Sequence, residues 1–494
     1  MTRAALPSVS PLRRLSAVTV LAALYALATA VLVAHGLRIG GLALARLRTR
    51  PPAEAPEPDD WPRVCVQLPV YNEPEVVERA VAALGAMDYP AMEIQVLDDS
   101  TDATSERAAR AVRLLRARGL TASHRQRGTR EGYKAGALAA GLAETDAPFL
   151  AVFDADFVPA PDTLRRLVAP LVADPDRAFA QARWAHLNRG AGWLTRAQGA
   201  LLDLHFAVEQ AGRGRTGRFL PFNGTAGVWR REAIDAAGGW RGETLAEDLD
   251  LSLRAWAAEW CGTFVEAVAV PAELPDALGA WRRQQARWAE GMAGVLRLHS
   301  ARLLRAPHPR SRRLRALFAL TAPLAYPALL VMLLLHPLLA AGIALGAGPG
   351  RAFVAALGLG WLGLLGALTA HLVAQRAVRP SVPLGRGLVD LALGLGAPIA
   401  LAWTGTRAVW CGLAGRRTAF ARTPKGGVRE AEPVRYTEAA LAAYALAGAV
   451  GLLALGAWVA AAFQFAFAFV LGSAVWTTVR WRGPRETAPA SQPA

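Results

Sequence analysis

"APFLAVFDADFVPAPDTLRRLV", residues 147–168, sets the reading of the whole chain. A short run of Phe, Leu, Ala and Val stops at Asp154 and Asp156, and a helical pattern follows after two prolines. Such a run bounded by prolines reads as a buried strand leading into a helix. The same alternation lies upstream: "RVCVQLPVYNE" (63–73) precedes "EPEVVERAVAALGAM", and "MEIQVLDDS" (92–100) precedes "DATSERAARAVRLLRARGL". Strands separated by helices need crossover connections, so an α/β domain with a mostly parallel sheet is expected. Ligands of such sheets bind beyond the carboxyl ends of the strands. Acidic residues collect there, Asp98 and Asp99 after the second run and Asp154 and Asp156 after the third.

One aspartate after a strand is ordinarily a helix N-cap, a reading that suits Asp102 and Asp162. Two carboxylates one residue apart, as at Asp154 and Asp156, also place oxygens where a hard cation can bridge them to a phosphate. Further on, "FLPFNGTAGVWRREAIDAAGGW" (219–240) reads as a glycine-rich loop, a strand and a helix. In "ETLAEDLDLSLRAW", Glu247 and Asp248 stand at a helix start, where the helix dipole favours carboxylates. "AWRRQQARWAEGMAGVLRLHS" puts Gln284, Arg287 and Trp288 on neighbouring turns of a basic amphipathic helix, a pattern that also suits a membrane surface. "GTREGYKAGALAAG" (128–141) carries Lys134, one of two lysines among 55 basic residues; the other is Lys425. Lysine is a compact point charge and arginine a planar fork, so retention of lysine is meaningful at a crowded phosphate site, although chance survival in an arginine-rich composition also accounts for it.

At 494 residues and 53% hydrophobic content, membrane segments are expected. Five stretches have roughly the 20 apolar residues that a crossing needs: 15–37, 316–346, 353–374, 441–460 and 462–479. The first exceeds the apolar run of a cleaved signal and reads as a retained anchor. A sixth, 387–405, carries Asp390 and several glycines and reads as interfacial or re-entrant. Arginines crowd the loops 375–386 and 406–436 and the tail after 480, which places these and the region 51–310 on the cytoplasmic side. The net charge of +16 is thereby assigned to membrane-flanking loops and anionic headgroups, and no nucleic-acid partner is expected. Cys65, Cys261 and Cys411 are far apart with no metal-ligand spacing, arguing against a disulfide framework. The expected organisation is an anchor (1–49), a Pro/Glu/Asp linker (50–62), a catalytic domain (63–277), amphipathic interfacial helices (278–314), a membrane region (315–480) and a tail (481–494) expected to be disordered.

Taken in order, "VQLPVYNE", "VLDDSTD", "GYKAGAL", "VFDADFVP", "FNGTAGVWR", "EDLDLS" and "QQARW" resemble the signatures of the membrane-embedded glycosyltransferase family 2, in its cellulose synthase-like group with glucomannan and mannan synthases. The resemblance covers residues 63–300. It implies a GT-A fold and an inverting hexosyltransferase that uses UDP-glucose or GDP-mannose, extends a β-linked polysaccharide and passes it through the membrane. Lipid acceptors define an alternative glycosyltransferase reading, and an inactive transporter or scaffold a further one. By the same resemblance Tyr71, Glu73, Asp98, Asp99, Lys134, Asp154 and Arg287 bind the nucleotide sugar, and Asp154 and Asp156 hold Mg²⁺ or Mn²⁺. Asp248, beside Glu247, is the general base; Asn223, Gly224, Thr225, Gln284 and Trp288 face the acceptor; Phe420, Thr423 and Lys425 belong to a gating loop. Membrane lipids and accessory export proteins are the further partners implied, and the bacterial inner membrane the location. One departure stands out: the family writes Thr-Glu-Asp before the base, and this chain has Ala246-Glu247-Asp248.

Overall fold

The computed structural model describes residues 17–350, 353–354, 357–416 and 436–480, so the loop positions Phe420, Thr423 and Lys425 lie outside the described residues. Seven strands, β1 (Val64–Val70), β2 (Met92–Asp98), β3 (Thr121–Gln126), β4 (Phe149–Val152), β5 (Arg177–His186), β6 (Gly227–Arg230) and β7 (Cys261–Ala272), form one sheet. Their order is β3-β2-β1-β4-β6-β5-β7. β1 pairs in parallel with β2 and β4, β2 with β3, and β5 with β7; β6 runs antiparallel to both β4 and β5. The expected parallel α/β sheet is present, with β6 as its reversed strand.

Side chains on a strand alternate between the two faces, and both faces of this sheet are covered. Val64, Val66, Leu68 and Val70 of β1 join one core with the helices Val77–Leu84, Thr104–Ala117 and Thr163–Ala173, whereas Cys65 joins the other with the helices Tyr133–Ala143 and Glu247–Ala257. β4 divides likewise, Phe149 and Ala151 to the first core, Leu150 and Val152 to the second. Each fully buried Val, Leu or Phe contributes about 1.5–3 kcal/mol. That is why the apolar runs, rather than the charged helix faces, fix the register. All three cysteines are free.

Among the described residues, four helices are long and apolar enough to cross a membrane: Ala17–Arg48, Ala322–Ala344, Tyr436–Ala454 and Trp458–Val479. The pair Leu384–Ala400 and Ala402–Leu413, bent by 52°, makes a fifth if it is one broken span. This pair occupies the stretch expected to be interfacial or re-entrant. Its Asp390 is buried and accepts hydrogen bonds from Arg196 at 2.8 Å and Arg379 at 2.8 Å, so the carboxylate is paired rather than set in lipid. The expected span 353–374 falls partly outside the described residues; its described helix, Gly360–Val378, is not among the four candidates. It packs closely on the first helix, since a Cβ on Gly36 would lie 2.2 Å from the carbonyl oxygen of Gly363. Small residues of this kind let two backbones approach.

Candidate active site

One cavity of about 1580 Å³ begins at the carboxyl ends of β1 and β4 and continues between the membrane-region helices. Its wall brings together Tyr71, Glu73, Asp99, Lys134, Asp154, Asp156, Asn223, Gly224, Glu247, Asp248, Gln284, Arg287 and Trp288. Of the expected site residues described, Asp98 and Thr225 are outside that wall. Asp98 is turned toward β3, where His124 Nε2 lies 2.8 Å away and Ser105 Oγ donates at 2.6 Å. Its burial alone would raise its pKa, but these bonds and those from Ser100 outweigh it and hold the carboxyl below the usual value. Thr225 lies behind the cavity surface, its hydroxyl accepting the N–H of Asp154 at 2.8 Å.

Tight loops deliver the other groups. Gly132 (φ +70°) and Tyr133 (φ +49°) are both left-handed at the entry to the Tyr133–Ala143 helix, and Gly242 packs so near that a Cβ on it would lie 2.7 Å from Gly132 Cα. Arg127 braces this turn, donating to Asp99 at 2.8 Å and to the Tyr133 carbonyl at 3.1 Å. Lys134 is thus carried inward, where its ammonium donates to Asp154 and, at 2.8 Å, to the Gly224 carbonyl. Gly224 (φ +80°) needs to be glycine on two counts, conformation and space, because a Cβ there would sit 3.2 Å from Asp248 Oδ2. Of the four left-handed non-glycine residues described, Asn72, Tyr133 and Ala226 fall in these motif loops. Backbone strain of this kind persists where the surroundings over-determine it, as in binding sites.

The base-bearing helix is held from two sides. Ser252 Oγ donates to the Asp248 carbonyl at 2.6 Å and accepts the N–H of Phe222 at 2.9 Å, tying the helix to the Asn223-Gly224-Thr225 loop. Asp250, buried two residues on, accepts from Arg254 Nε at 2.9 Å and meets His299 Nε2 at 2.5 Å, which fastens it to the Leu278–Arg305 helix. Ala246, where the family has threonine, meets that same helix at Gly291: a Cβ on Gly291 would lie 2.8 Å from the Ala246 Cβ. Thr244 Oγ1 accepts the Ala246 N–H at 3.3 Å.

Electrostatically the site is a cluster of carboxylates with Lys134 and Arg287 among them. Burial pushes the Asp248 carboxyl up, and the negative charge of Glu247 adds to the shift, taking it to about 7. Burial opposes the charge of Lys134, yet Asp154, Glu247 and Asp248 more than offset it and raise its pKa. Arg287 is lowered from its ordinary value by burial, against the pull of Glu247, Asp154, Asp248 and Glu73. Strongly shifted groups converging in a cleft mark a functional site. Asp154 and Asp156 offer hard carboxylate oxygens, and no cluster of three or more His, Cys, Asp or Glu able to hold an ion occurs among the described residues. That donor set fits Mg²⁺ or Mn²⁺, which take one or two carboxylates and complete their shell with substrate phosphates and water.

Residues not anticipated from sequence also line the cavity. Arg130 stacks over the Tyr71 ring at 3.3 Å from its centroid, and Trp184, His186, His205 and Glu209 also line the cavity. Arg130 lay within the quoted "GTREGYK" stretch, where the flanking glycines were a usable signal; the others carry no local pattern. Because Lys134 sits between Asp154 and a glycine carbonyl, the wider guanidinium does not fit there without displacing one of them. Lys134→Arg is expected to lower transfer about tenfold, more than an arginine-to-lysine exchange at a solvated site, measured as initial rate with labelled donor.

A mostly parallel α/β sheet with paired aspartates at one strand end, and a buried carboxylate lining the same cavity, has the architecture of a GT-A sugar-transferase domain. Over a little under half of its length the chain is similar to glycosyltransferase family 2 and to curated glucomannan mannosyltransferases. Residues 62–291 match the family described as "Glycosyltransferase like family 2". Over 246 residues the chain is 42% identical to "Probable glucomannan 4-beta-mannosyltransferase 1" of Arabidopsis thaliana, covering 49% of this chain and 44% of that protein. It is 40% identical over 256 residues to "Glucomannan 4-beta-mannosyltransferase 1" of Oryza sativa subsp. japonica, covering 49% of each. The match therefore spans a little under half the length of these relatives. Both are plant proteins, and the bacterial inner membrane expected from sequence gains no support from them. In fold the chain is similar to a solved structure of "Mannosyltransferase PcManGT from Pyrobaculum calidifontis in complex with GDP-Man and Mn2+", with a TM-score of 0.52, 21% identity, and coverage of 73% of this chain and 100% of that one.

Proposed function

We propose that the chain is an inverting hexosyltransferase that transfers a sugar from a nucleotide diphosphate donor to the end of a growing β-linked polysaccharide, GDP-mannose and UDP-glucose being the donors to try. The observation that carries this reading is the continuity of the cavity from Asp154 and Asp248, past Trp288, to Leu329, Met332 and Phe463 in the membrane region. A single-sugar transfer to a headgroup needs no such extension. Passage of the product through these helices, with the catalytic domain on the cytoplasmic face, is part of the same reading and is supported by the basic loops.

The proposed chemistry gives each residue a part. Tyr71, Glu73 and Asp99 hold the nucleoside end, and Arg287 and Lys134 face the diphosphate. Asp154 and Asp156 would hold the divalent cation, which when bound neutralises charge on the leaving diphosphate. Asp248 takes the proton from the acceptor hydroxyl as its oxygen attacks the anomeric carbon. The bond from that carbon to the phosphate oxygen breaks, the nucleoside diphosphate leaves with the electron pair, and the configuration inverts. A carboxyl raised to about 7 suits this role, because a base works best with a pKa near the operating pH. Trp288 offers an indole face to the C–H face of the acceptor sugar.

The test is transfer by the full chain in lipid nanodiscs, given labelled GDP-mannose or UDP-glucose with Mg²⁺ or Mn²⁺. A product that only linkage-specific β-mannanase or β-glucanase degrades is expected. Label recovered solely in organic-extractable lipid would overturn the polysaccharide reading in favour of a lipid acceptor.

A further inference from the structure

Asn223, at the head of the loop that carries Gly224 and Thr225, is held by a hydrogen-bonded chain that begins on the first membrane helix. Arg38 of the Ala17–Arg48 helix donates to Glu209 Oε1 at 2.5 Å, and the other carboxylate oxygen lies 3.2 Å from His205 Nδ1. On the far side of the ring, His205 Nε2 lies 2.9 Å from Asn223 Nδ2. The Asn223 amide oxygen accepts from Gln210 Nε2, which also donates to the Pro221 carbonyl at 2.9 Å. His205, Glu209 and Gln210 belong to one π-helical turn, His205–Gln210, set between the α-helices Trp193–Leu204 and Ala211–Arg215. Single turns of this kind, with their i→i+5 bonds, are frequent at functional sites.

The direction of every bond in the chain follows from one end. A carbonyl can only accept, so the Gln210 group facing Pro221 is its NH₂, and the Asn223 atom facing that NH₂ is its oxygen. The Asn223 NH₂ therefore faces His205, whose Nε2 presents a lone pair, and the ring proton is on Nδ1, aimed at Glu209. Burial alone would raise the Glu209 pKa; the charge of Arg38, then the bond from His205, outweigh it and hold the carboxyl well below its usual value. The acceptor that ends the chain is thus a charged one, which makes the stronger hydrogen bond. Close packing keeps the membrane helix within reach. A Cβ on Gly212, just past the π turn, would lie 2.8 Å from the Leu42 carbonyl oxygen, and Arg215 donates to the Thr49 carbonyl at 2.6 Å.

What the chain positions is decided at its Asn223 end. The Asn223 N–H donates to Gln181 Oε1 at 2.8 Å, the Gly224 carbonyl accepts from Lys134 at 2.8 Å, and a Cβ on Gly224 would lie 3.2 Å from Asp248 Oδ2. A shift of Asn223 therefore disturbs the ammonium and the carboxylate together. We propose that His205 is a positioning residue for transfer: as the Nδ1–H tautomer it links Glu209, and through it Arg38 of the first membrane helix, to the Asn223 amide, and so fixes the Asn223-Gly224 loop against Asp248. The first membrane helix is then part of the catalytic framework as well as an anchor. The inference rests on the proposed role of Asp248 as base.

The experiment uses the full chain in nanodiscs, with solid-state nitrogen NMR of isotope-labelled histidine beside the labelled-donor transfer assay. His205 is assigned as the signal missing from His205→Gln, and the Nδ1–H tautomer is expected in the wild type. His205→Phe keeps a ring but breaks the chain; kcat should fall ~10–100-fold, as for a misplacement of ~1 Å, with nucleotide-diphosphate affinity within about threefold of wild type as the sign of a folded site. His205→Gln can accept from Asn223 with its oxygen and donate to Glu209 with its NH₂, so its kcat should recover to within ~5-fold of wild type, the size of one neutral hydrogen bond. Arg38→Met, a change on the membrane helix, should lower kcat ~10-fold, the size of a hydrogen bond to a charged group. An Nε2–H tautomer in the wild type, wild-type kcat in His205→Phe or in Arg38→Met, or a glutamine variant no better than the phenylalanine one overturns the relay. The underlying reading fails separately: Asp248→Asn with an undiminished rate removes the base, while the Nδ1–H tautomer and the loss in His205→Phe still uphold the positioning role.

Discussion

Asp248→Asn is expected to lower transfer at least 1000-fold while nucleotide-diphosphate affinity changes less than about threefold. General-base catalysis contributes typically ~10²–10⁴-fold, and an amide oxygen cannot take the acceptor proton. Donor binding should survive because the proposal assigns the diphosphate to Arg287, Lys134 and the Asp154–Asp156 pair, and the Asp248 backbone contacts with Ser252 do not depend on its carboxylate. The pH dependence follows from the raised carboxyl. As the base, Asp248 is active only when deprotonated, so kcat/KM, which reports the free enzyme, should rise tenfold per pH unit below about 7 and level off above it. The linkage runs the opposite way. A carboxyl whose pKa is higher folded than unfolded leaves the native state binding more protons between about 4 and 7, so its contribution to stability falls as pH rises through that window. Asp248→Asn removes that loss, and thermal unfolding at pH 8 should show the variant at least as stable as the wild type. A variant that has lost nucleotide binding, or retains more than a tenth of wild-type rate, would take the role of base away from Asp248.

The parts legible in sequence were those with a local signature. β1, β2 and β4 were announced by apolar runs, and the carboxylates at their ends by position alone. Alternation, however, separates neighbours: Asp98 and Asp99 were read together as nucleotide contacts, yet adjacent side chains at a strand end point to opposite sides, and only Asp99 reaches the cavity. The antiparallel insertion of β6 and the cavity wall on β5 could not be read, because they depend on pairings between residues far apart in the chain. The same holds for the membrane region. Hydropathy found the long apolar helices, but it could not distinguish Asp390 in lipid from Asp390 clamped between Arg196 and Arg379. Nor could it see that the Gly360–Val378 helix packs through glycines on the first helix.

Removing either partner of the buried Arg282–Glu438 pair is expected to cost about 3–5 kcal/mol. Arg282 lies on the Leu278–Arg305 helix, two residues before Gln284, and its side chain is 1% exposed; Glu438, 3% exposed, opens the Tyr436–Ala454 helix just past the basic loop. Thr478 Oγ1 accepts from Arg282 at 3.3 Å, and Thr404 donates to Glu438 at 3.3 Å, so one ionic node joins four helices. Either single truncation, Arg282→Met or Glu438→Leu, removes a buried partner of the remaining charge, and the desolvation of that charge rather than the lost attraction sets the cost. Replacing both partners by residues of similar volume removes both buried charges together, and stability should return to within about 1.5 kcal/mol of wild type. Chemical denaturation in detergent, compared across the two singles and the double, measures this directly. Function should separate from stability here. Arg287 and Trp288 follow Arg282 on the same helix and reach the cavity from it, so the double variant should fold yet show a raised acceptor KM, because the helix is no longer fixed in register against the membrane region. A double variant with wild-type kinetics would make the node a matter of stability alone; single variants as stable as wild type would mean the pair is not buried in the protein in solution.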